Sequence, residues 1–398
     1  MSQVVFLEQL RQEAVRRYGV RPGGVRVVRS PYRICPLGAH IDHQLGPVTA
    51  MAIDQAVHVA YAPLAGEVRL SSLDFAGDVQ FSLDHVPERR GGDWGNFARG
   101  AVRSLQQHYP LPCGIQGVTA GRLDGGGLSS SAAIGVALLL ALEEANGLTV
   151  TAQENIALDQ AIENEYLGLR NGILDQSAIL LSRRGHLTYL DCRTREHELI
   201  PSTVPAGSPA ILLAFSGLKQ ALVGTDYNRR VDECRAAAEV LLRALGRPDA
   251  VPVLRNIEPD EYAKYRHLLN GPPARRAAHF FSEVQRVREG VECWRRGDLA
   301  GFGRLVSASG ESSIQNYECG CPPLVDLYEI LIATEGVYGT RFSGAGFRGC
   351  CVALVERQAA EAAVESVLDR YRQRQPQLAG DAFALVCGSD DGARHLRE

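Results

Sequence analysis

Asp124-Gly125-Gly126-Gly127-Leu128-Ser129-Ser130-Ser131-Ala132-Ala133 decides the reading of this chain. Three glycines run into three serines, and an apolar, alanine-rich segment continues to Ala145. The glycines allow backbone conformations that a side chain forbids. The first turn of the helix that follows offers unpaired N–H groups and the positive end of its dipole, which together bind anions. Serine hydroxyls at the same place can cap the helix, bond phosphate oxygens or ligate Mg²⁺. The plain alternative is a Gly-rich turn before a well-capped helix. The spacing is not GxxxxGK[ST] and no Lys follows, so this is not a Walker A loop. No strand-then-acid pattern makes it a dinucleotide fingerprint.

Working outward, 398 residues exceed one small core, and two domains are expected. The stretch Pro201–Pro209, rich in Pro, Ser and Gly, is the candidate boundary, giving 1–205 and 206–398. With 45% apolar and 22% charged residues the composition is that of a globular protein. A net charge of −4 gives no support to nucleic-acid or membrane-surface binding. The longest apolar run, around Ala132–Leu142, is too short and too rich in small residues to span a bilayer. The N-terminus lacks a basic region, apolar core and cleavage site in sequence, so a cytoplasmic location is expected. Ten cysteines show no CxxC spacing and mostly sit in apolar segments, which reads as buried, reduced thiols.

Periodicity predicts helices over about 5–18, 94–107, the segment from the Ser run to Asn146-Gly147, 152–169, 227–245, 274–296, 324–333 and 359–373. Strands are predicted near 26–28, 51–61, 68–70, 185–191, 210–215, 350–355 and 382–387. The class is α+β.

Three separated pieces then converge: Arg33-Ile34-Cys35-Pro36-Leu37-Gly38-Ala39-His40-Ile41-Asp42-His43, the Gly/Ser loop, and Ser343-Gly344-Ala345-Gly346-Phe347-Arg348-Gly349. Together they resemble the GHMP kinases, and within them the galactokinase branch. The first resembles the sugar signature R-V-N-L-I-G-E-H-T-D-Y. The second resembles the phosphate loop P-x-G-x-G-L-S-S-S-A, with Leu123 where Pro is usual. The third resembles G-A-G-F-G-G, with Arg348 replacing a Gly. Asn171-Gly172-Ile173-Leu174-Asp175-Gln176 is similar to C-G-I-M-D-Q, and Tyr227-Asn228-Arg229-Arg230 to Y-N-R-R.

The resemblance implies a two-lobed fold with the active site between the lobes, and ATP-dependent phosphorylation of a hexose at its anomeric hydroxyl. It implies Asp175 as the catalytic carboxylate and Arg33 as the cation beside the transferred phosphoryl group. Mg²⁺ ligands by family position are Ser131 and Glu163. Nucleotide contacts map to Gly125, Gly126, Gly127, Leu128, Ser129, Ser130, Ser131 and Ala132, with Trp94 near the adenine. Sugar-hydroxyl contacts map to His40, Asp42, Gly172 and Tyr227. The implied partners are a sugar and Mg-ATP, with no nucleic acid or membrane. A non-catalytic sensor of this branch lacks part of the Ser-Ala segment, which is intact here.

The departures speak to the substrate. The signature's Glu, which approaches the sugar C6 hydroxyl, is Ala39 here. Against a C6 carboxylate, a Glu about 4 Å away at an effective dielectric near 20 would repel by roughly 4 kcal/mol. Alanine removes that repulsion and vacates volume. The signature's Tyr is His43, and Arg348, Lys219, His43 and Arg170 are candidate cations for a carboxylate. The pattern resembles the galacturonokinase subgroup, which implies D-galacturonate as substrate. Galactose or another uronic acid is the alternative.

Overall fold

The structure is a computed structural model and describes residues 3–121, 130–205, 208–218, 226–347 and 349–397. The Gly/Ser loop up to Ser129, Lys219 and Arg348 therefore lie outside the described residues. The elements in chain order are α1 (Gln3–Tyr18), β1 (Arg26–Ile34), β2 (Pro47–Ala65), β3 (Glu67–Ser72), β4 (Val79–Ser82), α2 (Asn96–Gln106), β5 (Cys113–Gly121), α3 (Ser130–Ala145), α4 (Ala152–Ala161), α5 (Leu174–Leu181), β6 (His186–Asp191) and β7 (His197–Pro201). They continue as β8 (Ala210–Phe215), α6 (Tyr227–Ala244), α7 (Pro259–Tyr265), α8 (Gly271–Arg295), α9 (Leu299–Gln315), α10 (Pro322–Ile332), β9 (Val337–Phe342), β10 (Cys350–Val355), α11 (Ala360–Arg374), β11 (Phe383–Cys387) and β12 (Arg394–Leu396).

Two sheets organise the chain. The first holds β1–β7 and, at its edge, β12, with the path β12-β1-β2-β5-β3-β4. Strand β2 is long enough to pair with β1 and β5 and, through Pro47–Ala50, with β6. The second is antiparallel, in the order β11-β8-β10-β9. Strands β8 and β10 are buried at every residue, which is why Ala210–Phe215 and Cys350–Val355 read as unbroken apolar runs.

Helix α3 packs on β1, β2 and β5 and is flanked by α2, α4 and α5. It is apolar nearly all round because it is buried nearly all round. One core cluster joins Ile34, Ala132 and Val136 to Leu213, Phe215 and Val352, so the two sheets share packed side chains. No helix is long and apolar enough to cross a membrane among the described residues, and all ten cysteines are free.

Elements β4, β5, α5, β7, α7, α9, β9 and β12 have no counterpart among the predicted ones, and one predicted helix is shorter than expected. Helix α9 was not expected, because Gly301, Gly303 and Gly310 depress helix propensity. The structure gives the reason: a Cβ at Gly303 would strike the main chain of Tyr338, so the glycine lets α9 lie against β9. The helix predicted over 152–169 instead ends as α4 at Ala161 and continues as a π turn, Ile162–Tyr166.

Candidate active site

Strand β1 shifts register against β2 between Pro31 and Arg33. Proline has no N–H to give the ladder, and an irregularity of this kind re-aims the next side chain. Arg33 is buried and reaches the first turn of α5, where its Nε and Nη2 hold Asp175 Oδ1 at 2.7 and 2.6 Å. Its Nη1 is buried without a hydrogen-bond partner among the described residues. That leaves a cationic NH2 group, with two N–H bonds, for an anionic group.

The π turn places Glu163. Its wider winding, closed by Leu167 N–H to Ile162 O, turns the carboxylate inward, where Asn171 Nδ2 and the Ser131 hydroxyl donate to it. Such bulges inside helices recur at functional sites. Burial, and then the charge of Asp175, push Glu163 up to about 7. Asp42 is raised to about 6, again by burial and then by Asp175, while N–H groups of Leu174 and His43 oppose the shift. Gly172 makes this proximity possible. A Cβ there would lie 2.6 Å from Asp42 Oδ2 and 2.7 Å from His43 N. Tyr227 opens α6 and is raised well above the usual phenol range by burial and by Asp42, Asp175 and Glu163. Arg33, Asp42, Glu163, Asp175 and Tyr227 thus form one electrostatic group drawn from five elements.

Across the signature loop the rings of His40, His43, His279 and Tyr317 are neutral, and the charges behind them, Glu283 with Arg286 and Arg341, are paired with one another. His40 adopts φ 65°, left-handed for a non-glycine residue, and its ring stacks on Tyr317 at 4.3 Å and 11°. Burial, with Arg341 next, holds it well below the usual imidazole range. His43 is lowered to about 4 by burial. Its tautomer follows from its neighbours. Leu254 N–H donates to Gln44 Oε1, so the Gln44 amide nitrogen donates to His43 Nδ1, and His43 Nε2–H donates to Tyr317 Oη at 3.2 Å. His43 is therefore a neutral donor and not the cation that the sequence offered. Arg170 is also engaged elsewhere: it pairs with Asp232 at 2.6 Å on the surface.

Of the remaining predicted residues, Ser130 and Ser131 open α3, and the Ala132 methyl is in the core. Trp94 packs with the cluster around α2 and β4 and donates its indole N–H to Gly77 O at 3.0 Å. Gly125, Gly126, Gly127, Leu128, Ser129, Lys219 and Arg348 lie outside the described residues. Sequence reasoning missed Tyr317, His279 and Glu283, all buried around the signature loop. The spacing of His279 and Glu283, four residues apart on a largely apolar helix face, was the one signal available.

Among the described residues no group of three or more His, Cys, Asp or Glu could hold a metal ion. Ser131 and Glu163 offer a hydroxyl and a carboxylate, the hard oxygen donors that Mg²⁺ takes alongside phosphate oxygens and water.

A carboxylate gripped by a buried guanidinium, beside a helix that opens with serines, is the apparatus of phosphoryl transfer. The chain belongs to the GHMP kinase family: "GHMP kinases N terminal domain" matches residues 96–183 and "GHMP kinases C terminal" residues 291–373. "Galactokinase galactose-binding signature" matches residues 15–63. The protein called Galacturonokinase of Arabidopsis thaliana is 50% identical, over 98% of this chain and 98% of its own. The protein called Galactokinase of Roseiflexus sp. (strain RS-1) is 33% identical over 98% and 97%. Among solved structures, Lactococcus lactis galactokinase complexed with galactose superposes with a TM-score of 0.90 at 28% identity, covering 98% of this chain and 100% of that one. A Methanococcus jannaschii mevalonate kinase shares the fold at a TM-score of 0.61 and 16% identity, over 92% and 98%. The chain is a sugar kinase of the α+β GHMP fold.

Proposed function

We propose that this kinase phosphorylates the anomeric hydroxyl of D-galacturonate, giving α-D-galacturonate 1-phosphate and ADP. The observation that carries the substrate is Ala39: it is a small apolar residue on the loop beside His40 and Asp42, where the galactokinase signature has an acid. The 50% identity to a protein named Galacturonokinase supports the same reading.

In this reading Asp42 and Tyr227 hold sugar hydroxyls, and Asp175 accepts the proton from O1. The O1–H bond breaks, O1 bonds the γ-phosphorus, and the bond from that phosphorus to the ADP oxygen breaks. Arg33 serves twice. It orients Asp175 through Nε and Nη2, and its buried Nη1 amino group is left for the transferring phosphoryl oxygens. Ser131 and Glu163 would hold Mg²⁺, which supplies charge neutralisation of the phosphates when bound. Residues 1–205 and 206–398 act as two lobes around the substrates, and the enzyme works in the cytoplasm. Trp94 flanks the adenine, and Arg348 or Lys219 meets the C6 carboxylate.

The test is ADP release with Mg-ATP across galacturonate, glucuronate and galactose. Galacturonate should give by far the highest kcat/KM. A preference for galactose would overturn the substrate assignment and leave the kinase class standing.

A further inference from the structure

Four consecutive residues of the signature loop are each met by a different residue from beyond position 270. Leu37 packs against Gly290, where a Cβ would collide with its Cδ1. Gly38 N–H donates to Glu283 Oε1 at 2.7 Å. The Ala39 carbonyl lies 3.1 Å from His279 Nε2. His40 stacks on Tyr317. Gly38 itself, at φ 93°, has no room for a side chain, since a Cβ would lie 2.6 Å from Val48 Cα.

The hydrogen bonds have only one consistent direction. The Ala39 carbonyl can only accept, so His279 Nε2–H donates to it, and in the neutral ring Nδ1 then accepts the Ser312 proton at 3.0 Å, while Asn316 Nδ2 donates to Ser312 Oγ. Burial lowers His279 to about 4, which keeps this neutral tautomer. Glu283 is fixed in turn. Ser309 donates to its Oε1 at 2.5 Å and Arg286 to its Oε2 at 2.7 Å, with Arg341 at 3.6 Å. Burial would raise this acid, but Arg286 foremost, then His279, Arg341 and the Ser309 hydroxyl, outweigh it and hold it well below the usual carboxylate range, while the same carboxylate opposes the downward shift of His279.

We propose that His279 and Glu283 are positioning residues for sugar selection: they clamp the main chain at Gly38 and Ala39, and so fix where the residue-39 side chain and His40 stand. The clamp tolerates the left-handed His40 because the loop on its N-terminal side cannot relax. This rests on the reading that the loop faces the sugar. It assigns the selection not only to what residue 39 is but to a helix some 240 positions away that holds it.

The experiment compares His279→Leu, which loses the donor, with His279→Gln, which keeps an N–H donor, and with Ser312→Ala, which removes the hydroxyl that holds the ring at Nδ1. His279→Leu should raise the sugar KM about tenfold and leave the Mg-ATP KM within about twofold. His279→Gln should recover most of that loss, and Ser312→Ala should cost about two- to fivefold. Hydrogen exchange is followed over 35–45 in the same proteins. In the wild type, sugar without nucleotide should slow exchange there, and His279→Leu without sugar should speed it. Wild-type exchange unchanged by any turned-over sugar would show that the loop reading is wrong. Loop protection by sugar, with a folded His279→Leu whose sugar KM is unchanged, would overturn the clamp alone. Sugar and ATP KM rising together, with no recovery in His279→Gln, would do the same.

Discussion

On one side of the signature loop, Asp42, Glu163 and Asp175 crowd around the single guanidinium of Arg33. On the other, His40, His43, His279 and Tyr317 are stacked and hydrogen-bonded, each held in its neutral form. Asp42 and Glu163 on one side and His40 and His279 on the other are buried, and burial acts on acids and imidazoles in opposite senses. It raises acids toward neutrality, where they can exchange protons and respond to a cation. It drives imidazoles down, where the folded protein keeps them neutral near neutral pH. One wall is suited to chemistry and the other to shape. The predictions that follow try to break that division, taking the largest expected effect first.

Asp175→Asn keeps the shape of the charged wall and removes the carboxylate proposed to accept the O1 proton. Turnover should fall by about 10²–10⁴. Thermal stability and Mg-ATP binding, measured by calorimetry, should stay close to wild type. A variant that retains near-wild-type kcat would move the reactive carboxylate elsewhere in the wall.

Ala39→Glu places a charge on the loop that the neutral wall holds. Against a substrate carboxylate about 4 Å away it should cost up to about 4 kcal/mol. Toward galactose the new group offers an acceptor instead. Since crowding can lower both activities, the ratio of the two kcat/KM values is the measurement. A folded variant with an unchanged ratio would show that residue 39 does not select the sugar.

Gly172→Ala tests the seam where the two walls meet. The added methyl would meet Asp42 Oδ2 at 2.6 Å and His43 N at 2.7 Å, closer than van der Waals contact allows. Overpacking of this sort costs about 1–3 kcal/mol. It should appear as a higher sugar KM, with the ATP KM little changed. An equal rise in both would place the strain outside the sugar side.

Much of the charged wall was legible in the sequence, because its residues sit in local motifs: Arg33 and Asp42 within one run, Gly172 and Asp175 within another. Runs of this kind also gave α3, β8 and the segment around Tyr227. The neutral wall was not legible. His279 meets Ala39 and Tyr317 meets His43 across 240 and 274 residues, and no local pattern encodes such a partner. Strand β5 and helix α9 escaped for a related reason. Their glycines lower propensity but serve close approach: a Cβ at Gly117 would strike Ala60 O, as one at Gly303 would strike β9. The π turn at Glu163 escaped because its residues keep a helical pattern while the winding changes.

The smallest effect separates the walls by pH. Burial and Asp175 raise Asp42 from 3.8 to about 6. Its folded form therefore binds a proton more tightly than its unfolded form, and its stabilising contribution is present at low pH and lost as pH rises toward 6. His43 and His279 are lowered from 6.5 to about 4 by burial, so their contribution is present above 6.5 and lost as pH falls toward 4. In binding, protonation removes the Asp42 acceptor. Through Asp42 the sugar KM should rise about fourfold at pH 5.5 relative to pH 7.5, and the titration of Glu163, raised to about 7, is what remains in the Asp42→Asn protein over the same range. Asp42→Asn should raise KM throughout and flatten that limb. His43→Gln should leave the limb in place. It should also reduce the stability lost between pH 6.5 and 4.5 in denaturant melts, because one imidazole that must charge on unfolding is gone. If His43→Gln abolished the limb instead, the imidazole would be the group that titrates, and the division into a responsive wall and a silent one would fail.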